Sequence, residues 1–237
     1  MKLFFNLIMV NLAACSLMQA QQAPALSDFN HQAAFVLPLT LHNEREMILL
    51  GREAAGNDQG LYDSFGGKRD YEDGSHPVVT AAREFYEEAI TRLTLDMPFS
   101  TVRHYIDLKA GNTEYIFAVQ SMRGNARHVV YLSNFSPTLF QQLKETFGFA
   151  FENAPAGRRF REKDEIASVF LSDVLEAIVD SRSNRGIQVI AHVIDLRGNR
   201  STKLITLRPI FARMLRGYAE ARAYVEGKDP RIRFYTL

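Results

Sequence analysis

From residue 33 onward the chain alternates short apolar runs with polar, glycine-bearing breaks. AAFVLPLTL at 33–41 and EMILLG at 46–51 read as strands, and the polar turn His42-Asn43-Glu44-Arg45 joins them as a hairpin. Pro38 lacks a backbone donor and predicts an edge or a bulge in the first strand. A loop at 56–60 leads to a short extended piece at 61–65 that ends at Gly66-Gly67. After the charged loop 68–76, Pro77 opens a helix reaching about Thr91, where its missing N–H does no harm. Within it Val78, Ala81, Ala82, Phe85 and Ala89 recur at three- and four-residue spacing, so one stripe faces a core.

Further along, 101–108 and 114–122 read as strands around Ala110-Gly111-Asn112, and 137–147 reads as a helix. A long loop is expected at 149–164, then a strand at 166–171 and a helix capped by Ser172 and running to about Ser181. Segments 186–196 and 203–207 form a strand pair around Gly198-Asn199, and Pro209 starts a last helix to about Val225. Strands mixed with a few helices, without strict βαβ alternation, predict an α/β (α+β) fold: a mixed β-sheet sandwiched between helices.

Composition narrows the function. The 237 residues are 46% apolar and 23% charged, enough for one sizeable core, with no repeat and no low-complexity tract. A net charge of +1 speaks against a nucleic-acid partner, which selects for clustered basic excess. The one basic cluster, Arg158, Arg159, Arg161 and Lys163, is interleaved with or followed by Glu162, Asp164 and Glu165. It reads either as a solvated loop or as a phosphate contact beside an active site. A single cysteine, Cys15, excludes an intramolecular disulfide and a cysteine-rich zinc site.

Residues 1–20 carry an early Lys2 and then an apolar stretch too short to span a membrane, the layout of a secretory signal peptide. Leu12-Ala13-Ala14-Cys15 resembles a bacterial lipobox, with lipidated Cys15 as a membrane anchor; cleavage after Ala20 is the alternative. The expected location is then the periplasm or envelope, and the cytoplasm if the segment is no signal. Residues 21–31 read as a polar linker, and 32–237 as the folded domain with its C-terminal strand pair and helix.

The chemistry concentrates in 66–91, GGKRDYEDGSHPVVTAAREFYEEAIT. Glu84, Glu87 and Glu88 stand at i, i+3 and i+4 on one helix face, away from the apolar stripe. The like-charge pair Glu84–Glu88 opposes the helix by roughly a few tenths of a kcal/mol. A hard divalent cation, which takes carboxylate, water and phosphate oxygens, would relieve it. Taken alone, the three glutamates also fit a solvated face, with Glu88 paired to Arg92.

Gly67, Arg83, Glu84, Phe85, Glu87 and Glu88, together with the order strand, hairpin, LYDSFGGK and helix, resemble the Nudix hydrolase superfamily over roughly 33–179. The resemblance implies that Glu84, Glu87, Glu88 and the Gly67 carbonyl ligate Mg2+, with Mn2+ as a substitute, and that Arg83 orients the glutamates. Arg83 otherwise makes only a surface pair with Glu87. It further implies hydrolysis of a diphosphate linkage in a nucleoside diphosphate joined to another group, such as ADP-ribose, a dinucleoside polyphosphate or a nucleotide sugar. Glu162 and Glu165 are the candidate general bases, Glu152 a weaker one, and His76 and His104 are read as structural. Tyr62, Phe65 and Tyr115 either stack on a base or pack in the core. The resemblance also makes a homodimer one candidate assembly, although no residue pattern in the chain specifies it.

The chain departs from the motif in three places. The interval from Gly67 to Arg83 is two residues longer than usual, within the 68–76 loop. Ser75 lies in the slot of the loop glutamate, with Glu72 as the carboxylate that could take over its role. Ile90 replaces the glycine that ends the motif, which questions the helix exit. These departures motivate a second reading, a Nudix-like nucleotide-binding or regulatory module without turnover.

Overall fold

The computed structural model describes residues 30–112, 116–120 and 127–225. Residues 1–20, read above as a signal peptide and including Cys15, lie outside the described residues, as does Tyr115. In chain order the elements are β1 (Ala33–His42), β2 (Arg45–Glu53), β3 (Tyr62–Asp63), β4 (Phe65–Lys68), α1 (Pro77–Glu88), α2 (Thr91–Thr94), α3 (Phe99–Asn112), β5 (Ile116–Gln120) and β6 (Arg127–Asn134). There follow α4 (Pro137–Asn153), β7 (Lys163–Phe170), α5 (Leu171–Asp180), β8 (Gln188–Asp195), β9 (Arg200–Thr206) and α6 (Pro209–Val225). Short 3-10 turns lie at Tyr71–Asp73 and Arg158–Arg161.

These strands form one sheet in the order β5-β6-β1-β2-β7-β8-β9, with β3 added on β2 and β4 on β1. The β1–β6 pair is parallel and the others are antiparallel, so the sheet is mixed. Alternate residues of β1 feed two cores. Phe35, Leu37 and Leu39 pack with Leu171, Val174 and Ile178 of α5 and Phe211 and Leu215 of α6. Ala34 and Val36 pack with Phe85 of α1, Ile106 of α3 and Phe140 and Leu143 of α4. The expected sheet between helices is what the chain builds.

The β1–β2 hairpin turns through Asn43 (φ 49°) and Glu44 (φ 63°), a left-handed pair that matches the right-handed twist of the strands. Pro38 is not on an edge. It lies between the stretch of β1 paired to β4 (33–36) and the stretch paired to β2 (39–42), a break in the ladder that a residue without an N–H can occupy.

Several sequence expectations change. Residues 101–108 belong to helix α3 and are not a strand; Val102 and Ile106, one helical turn apart, are both buried. Strand β6 has no counterpart in the sequence reading. It runs parallel to β1 with Val129 to Leu132 all buried, a continuous apolar run without the alternation of a half-exposed strand. Helix α4 extends six residues past 147 into the expected loop. Ser172 lies inside the first turn of α5, whose N-cap is Phe170. His31, placed in the linker, is fully buried, and its Nε2 lies 2.9 Å from Thr80 Oγ1. Among the described residues no helix is long and apolar enough to cross a membrane.

Helix α1 ends at Glu88, earlier than expected, and the chain leaves it through Ile90 at φ 52°, ψ 45°. A β-branched residue is strained in this left-handed region by roughly 1–2 kcal/mol. The strain is offset by full burial of the Ile90 side chain. The exit that glycine makes without strain is therefore kept.

Candidate metal site on the glutamate helix

The site forms where the C-terminal half of α1 crosses the Gly66-Gly67 bend of β4. The bend needs glycine twice, at Gly66 against β1 and at Gly67 against the helix. A Cβ on Gly66 would lie 2.5 Å from Phe35 Cα, and one on Gly67 would lie 2.6 Å from Glu84 Oε1. With hydrogen only at these positions, the helix carboxylates settle directly onto the strand backbone. Gly66 N–H donates to Glu88 Oε2 at 2.7 Å.

The glutamates do not form a solvated face. Glu84, Glu87 and Glu88 are 9%, 9% and 3% exposed. Each of Glu84, Glu88 and Glu162 offers a carboxylate oxygen within 4.8 Å of the other two. Glu162, read from the sequence as a candidate base, thus lies in the same carboxylate cluster. Glu87 faces a neighbouring direction, with Oε2 3.3 Å from Arg83 Nη1 and Oε1 3.4 Å from Arg159 Nη1. Arg92 pairs with Asp96, not with Glu88.

Burial first, and then repulsion from Glu87 and Glu162, push the Glu84 carboxyl up to about 7 despite the nearby Arg83. Burial also holds Glu88 well above the usual carboxylate range, against the attraction of Lys163. A pocket that resists its own negative charge in this way is one that a divalent cation would complete. The oxygen donors and the glycine cradle fit such an ion.

Lys163 was read only as part of a basic cluster. Its side chain is fully buried, with Nζ 2.6 Å from Glu53 Oε1 and 3.5 Å from Glu88 Oε1. Burial opposes its charge, but Glu88, Asp63 and Glu53 together raise its pKa, so the ammonium persists. The stem lies over Gly51, where a Cβ would come within 2.9 Å of it. Arg208 extends the network to Asp58, Glu53 and Asp63 at 2.8, 3.3 and 3.0 Å.

The loop carboxylate missed from the sequence is Asp73, not Glu72 or Ser75. Asp73 is 5% exposed and receives both Nε and Nη2 of Arg83. The two extra residues of the loop therefore fall after position 73; counting forward from Gly67 instead of back from Arg83 would have found it. Asp73 Oδ2 also accepts from Thr80 Oγ1 at 3.0 Å and from the Asp70 N–H at 2.9 Å. Burial alone would raise the Asp73 carboxyl, but Arg83, Asp70 N–H and Thr80 together hold it below its ordinary value. Thr80 has one proton and gives it to this carboxylate, so His31 Nε2 must be the donor to Thr80.

Glu165 is not brought to the cluster. It accepts from the Tyr62 hydroxyl, lies 2.6 Å from Lys203 Nζ and 3.6 Å from Arg52 Nη1. Tyr62 belongs to the core on the far face of the sheet, because successive residues of a strand point to opposite sides. Tyr62 and Phe65 are both core residues, 2% and 0% exposed. His76 is the exposed residue before α1, His104 is exposed on α3, and Glu152 is exposed near the end of α4.

No family model matches this chain, and no curated protein does. Among solved structures it is similar to Shewanella oneidensis NrtR complexed with a 27mer DNA (16% identity, 61% of this chain and 53% of that one, TM-score 0.34). It is also similar to the Nudix domain of S. oneidensis NrtR complexed with ADP ribose (17% identity, 51% and 70%, TM-score 0.29). A third is RenU, a Nudix hydrolase from M. smegmatis (14% identity, 83% and 88%, TM-score 0.39). The chain spans about half the length of the DNA-bound NrtR chain. The chain is thus similar to Nudix proteins of known structure, at scores where its fold rests on its own strand pairing.

Proposed function

We propose that the chain is a Nudix-type pyrophosphohydrolase. It would hydrolyse a diphosphate linkage in a nucleoside diphosphate joined to another moiety, with Mg2+ or Mn2+ held by Glu84, Glu88, Glu162 and the Gly67 carbonyl. The observation that carries this reading is the convergence of two buried carboxylates, Glu84 and Glu88, and the half-buried Glu162 within 4.8 Å, beside a glycine bend that leaves no room for a side chain. When bound, the cation supplies Lewis-acid stabilisation of a phosphoryl oxygen and a more acidic water. Arg83, locked on Asp73, fixes the rotation of α1 and so the aim of Glu84 and Glu87. Glu87 stays beside two guanidinium groups. Arg159, 60% exposed, presents its charge toward a substrate phosphate. Glu162 is the carboxylate of the later loop placed to hold a water or a ligand position.

The test is a magnesium-supported screen of ADP-ribose, dinucleoside polyphosphates and nucleotide sugars, with a Glu84→Gln/Glu88→Gln variant beside the natural chain. Product release that needs the cation and disappears in a folded variant is the expected result. Full activity in the variant would refute the site.

One observation favours the second reading, a nucleotide-binding or regulatory module. The Lys163 ammonium already lies 3.5 Å from Glu88 and compensates part of the charge a cation would meet. Nucleotide binding without turnover of any substrate in the same screen would select it. Export through residues 1–20 remains our proposal for location; intact protein carrying that segment in the cytoplasm would remove its basis.

A further inference from the structure

A cavity of about 360 Å³ lies at the other end of the same strands. Its walls are the last residues of β1, the first of β2, the last of β7 and one face of α4. Glu53 and Lys163 pair at the metal-site end of β2 and β7, and Met47 and Phe170 pair at the cavity end. Seven residues of strand separate the two, roughly 20 Å at the rise of a β-strand. The cavity therefore shares no residue with the carboxylate site.

Its lining divides by chemistry. Met47, Phe140 and Phe170 make an apolar wall. The polar members are Lys144, Ser168 and Thr40, with His42, Gln141 and His192 completing the lining. Lys144 Nζ donates to Ser168 Oγ at 3.0 Å, and Ser168 is fully buried. No carboxylate lines the cavity among the described residues. Glu145, the acidic neighbour of Lys144 in sequence, is engaged by Gln141 and by Arg200 at 2.8 Å. Burial and the nearby Arg200 lower the Lys144 pKa, outweighing Glu145, so an anion beside this amine would meet a cation lacking a counter-charge in the cavity.

Thr40 is the second observation. It is 5% exposed and its hydroxyl has no hydrogen-bond partner among the described residues. A buried hydroxyl without a partner is destabilising, and the residue of the same shape without that cost is valine. A polar atom is therefore held at a disadvantage in the wall of a cavity that also carries an uncompensated ammonium.

We propose that this cavity is a second ligand site, for a small amphiphilic anion. A carboxylate or phosphate head would bond the Lys144 ammonium and the Thr40 hydroxyl, while Ser168, whose proton points to the His192 carbonyl, holds the Lys144 amine in place; an apolar body would lie against Met47, Phe140 and Phe170. The volume is in the range of pockets that bury a small organic ligand. The reading stands apart from the proposed hydrolase activity.

The full chain is titrated by calorimetry with 3-phenylpropionate, phenyl phosphate and neutral 3-phenylpropanol. Binding of one or both anions, and preference between them, identifies the head group. Lys144→Met is expected to weaken the bound anion about 10–100-fold, the loss of one charged hydrogen bond, with little change for the alcohol. Thr40→Val is expected to weaken the anion several-fold while leaving thermal stability equal or higher, a split that a purely structural role would not produce. Glu84→Gln/Glu88→Gln is expected to leave anion binding unchanged, which separates this site from the other. Absence of binding for both anions at millimolar concentration overturns the proposal, as does equal affinity in folded Lys144→Met.

Discussion

Arg83 holds Asp73 through two parallel bonds, Nε to Oδ1 at 2.8 Å and Nη2 to Oδ2 at 2.9 Å, across ten residues of sequence. This fork ties the loop before α1 to the helix. Because Nη1 of the same guanidinium lies 3.0 Å from Glu84 and 3.3 Å from Glu87, the loop carboxylate sets the direction in which both glutamates point.

Asp73→Asn removes the charge and keeps the shape. Partners that orient ligating groups typically contribute 10–100-fold, so metal affinity or turnover is expected to fall by about that factor, with the fold retained. Magnesium titration and the split between kcat and KM measure it. Unchanged values would mean that Arg83 aims the glutamates without Asp73.

Lys163→Met takes a buried cation from between Glu53 and Glu88. Breaking a buried ion pair from one side commonly destabilises by about 3–5 kcal/mol, because the remaining charges lose their compensation. A lower Tm in chelator is expected, with recovery on adding magnesium as a divalent ion takes up the neutralising role. A drop in Tm that magnesium does not reduce would argue that Lys163 and the metal position are independent.

The Glu84 carboxyl has an ordinary value of 4.5 and stands at about 7 in the folded chain. Between those pH values the folded state keeps a proton that the unfolded state has lost. Its stabilising contribution is therefore complete below about 4.5 and is lost as the pH rises through about 7. Metal-free protein should lose stability over that window. Magnesium binding near pH 6 should release protons, and the Glu84 share of that release should vanish above about pH 8. Calorimetry in two buffers of different ionisation heat reads the proton count; a count of zero near pH 6 would contradict the burial of Glu84.

Glu162 and Glu165 separate cleanly. Glu165→Gln, at a carboxylate bonded by Tyr62 and Lys203, is expected to change turnover less than about tenfold. Glu162→Gln, in the ligand cluster, is expected to cost more than a further factor of ten, on the scale seen for general acid–base groups. A steady-state comparison on the best substrate of the screen decides it; the reverse order would return Glu165 to the site.

Much of this architecture was legible from the residues. The β1–β2 hairpin, α1, the β8–β9 pair and α6 announce themselves through local signals: alternation, a proline at a helix start, and turn residues at Asn43 and Gly198. Strand β6 and helix α3 were not legible. Strand β6 is covered on both faces and pairs with a residue run almost a hundred positions earlier, and α3 shows its helical spacing only through Val102 and Ile106.

The spacing of Glu84, Glu87 and Glu88 and the two glycines before them are properties of the sequence, because i, i+3 and i+4 share a helix face in any helix. Which glutamates converge, that Glu162 meets them, that Asp73 answers Arg83 and that Lys163 lies beneath Glu88 were decided only by the tertiary structure. The reason is physical. Local periodicity determines the face on which a side chain emerges, whereas the burial of a charge and the partner that compensates it depend on segments brought together across the sheet.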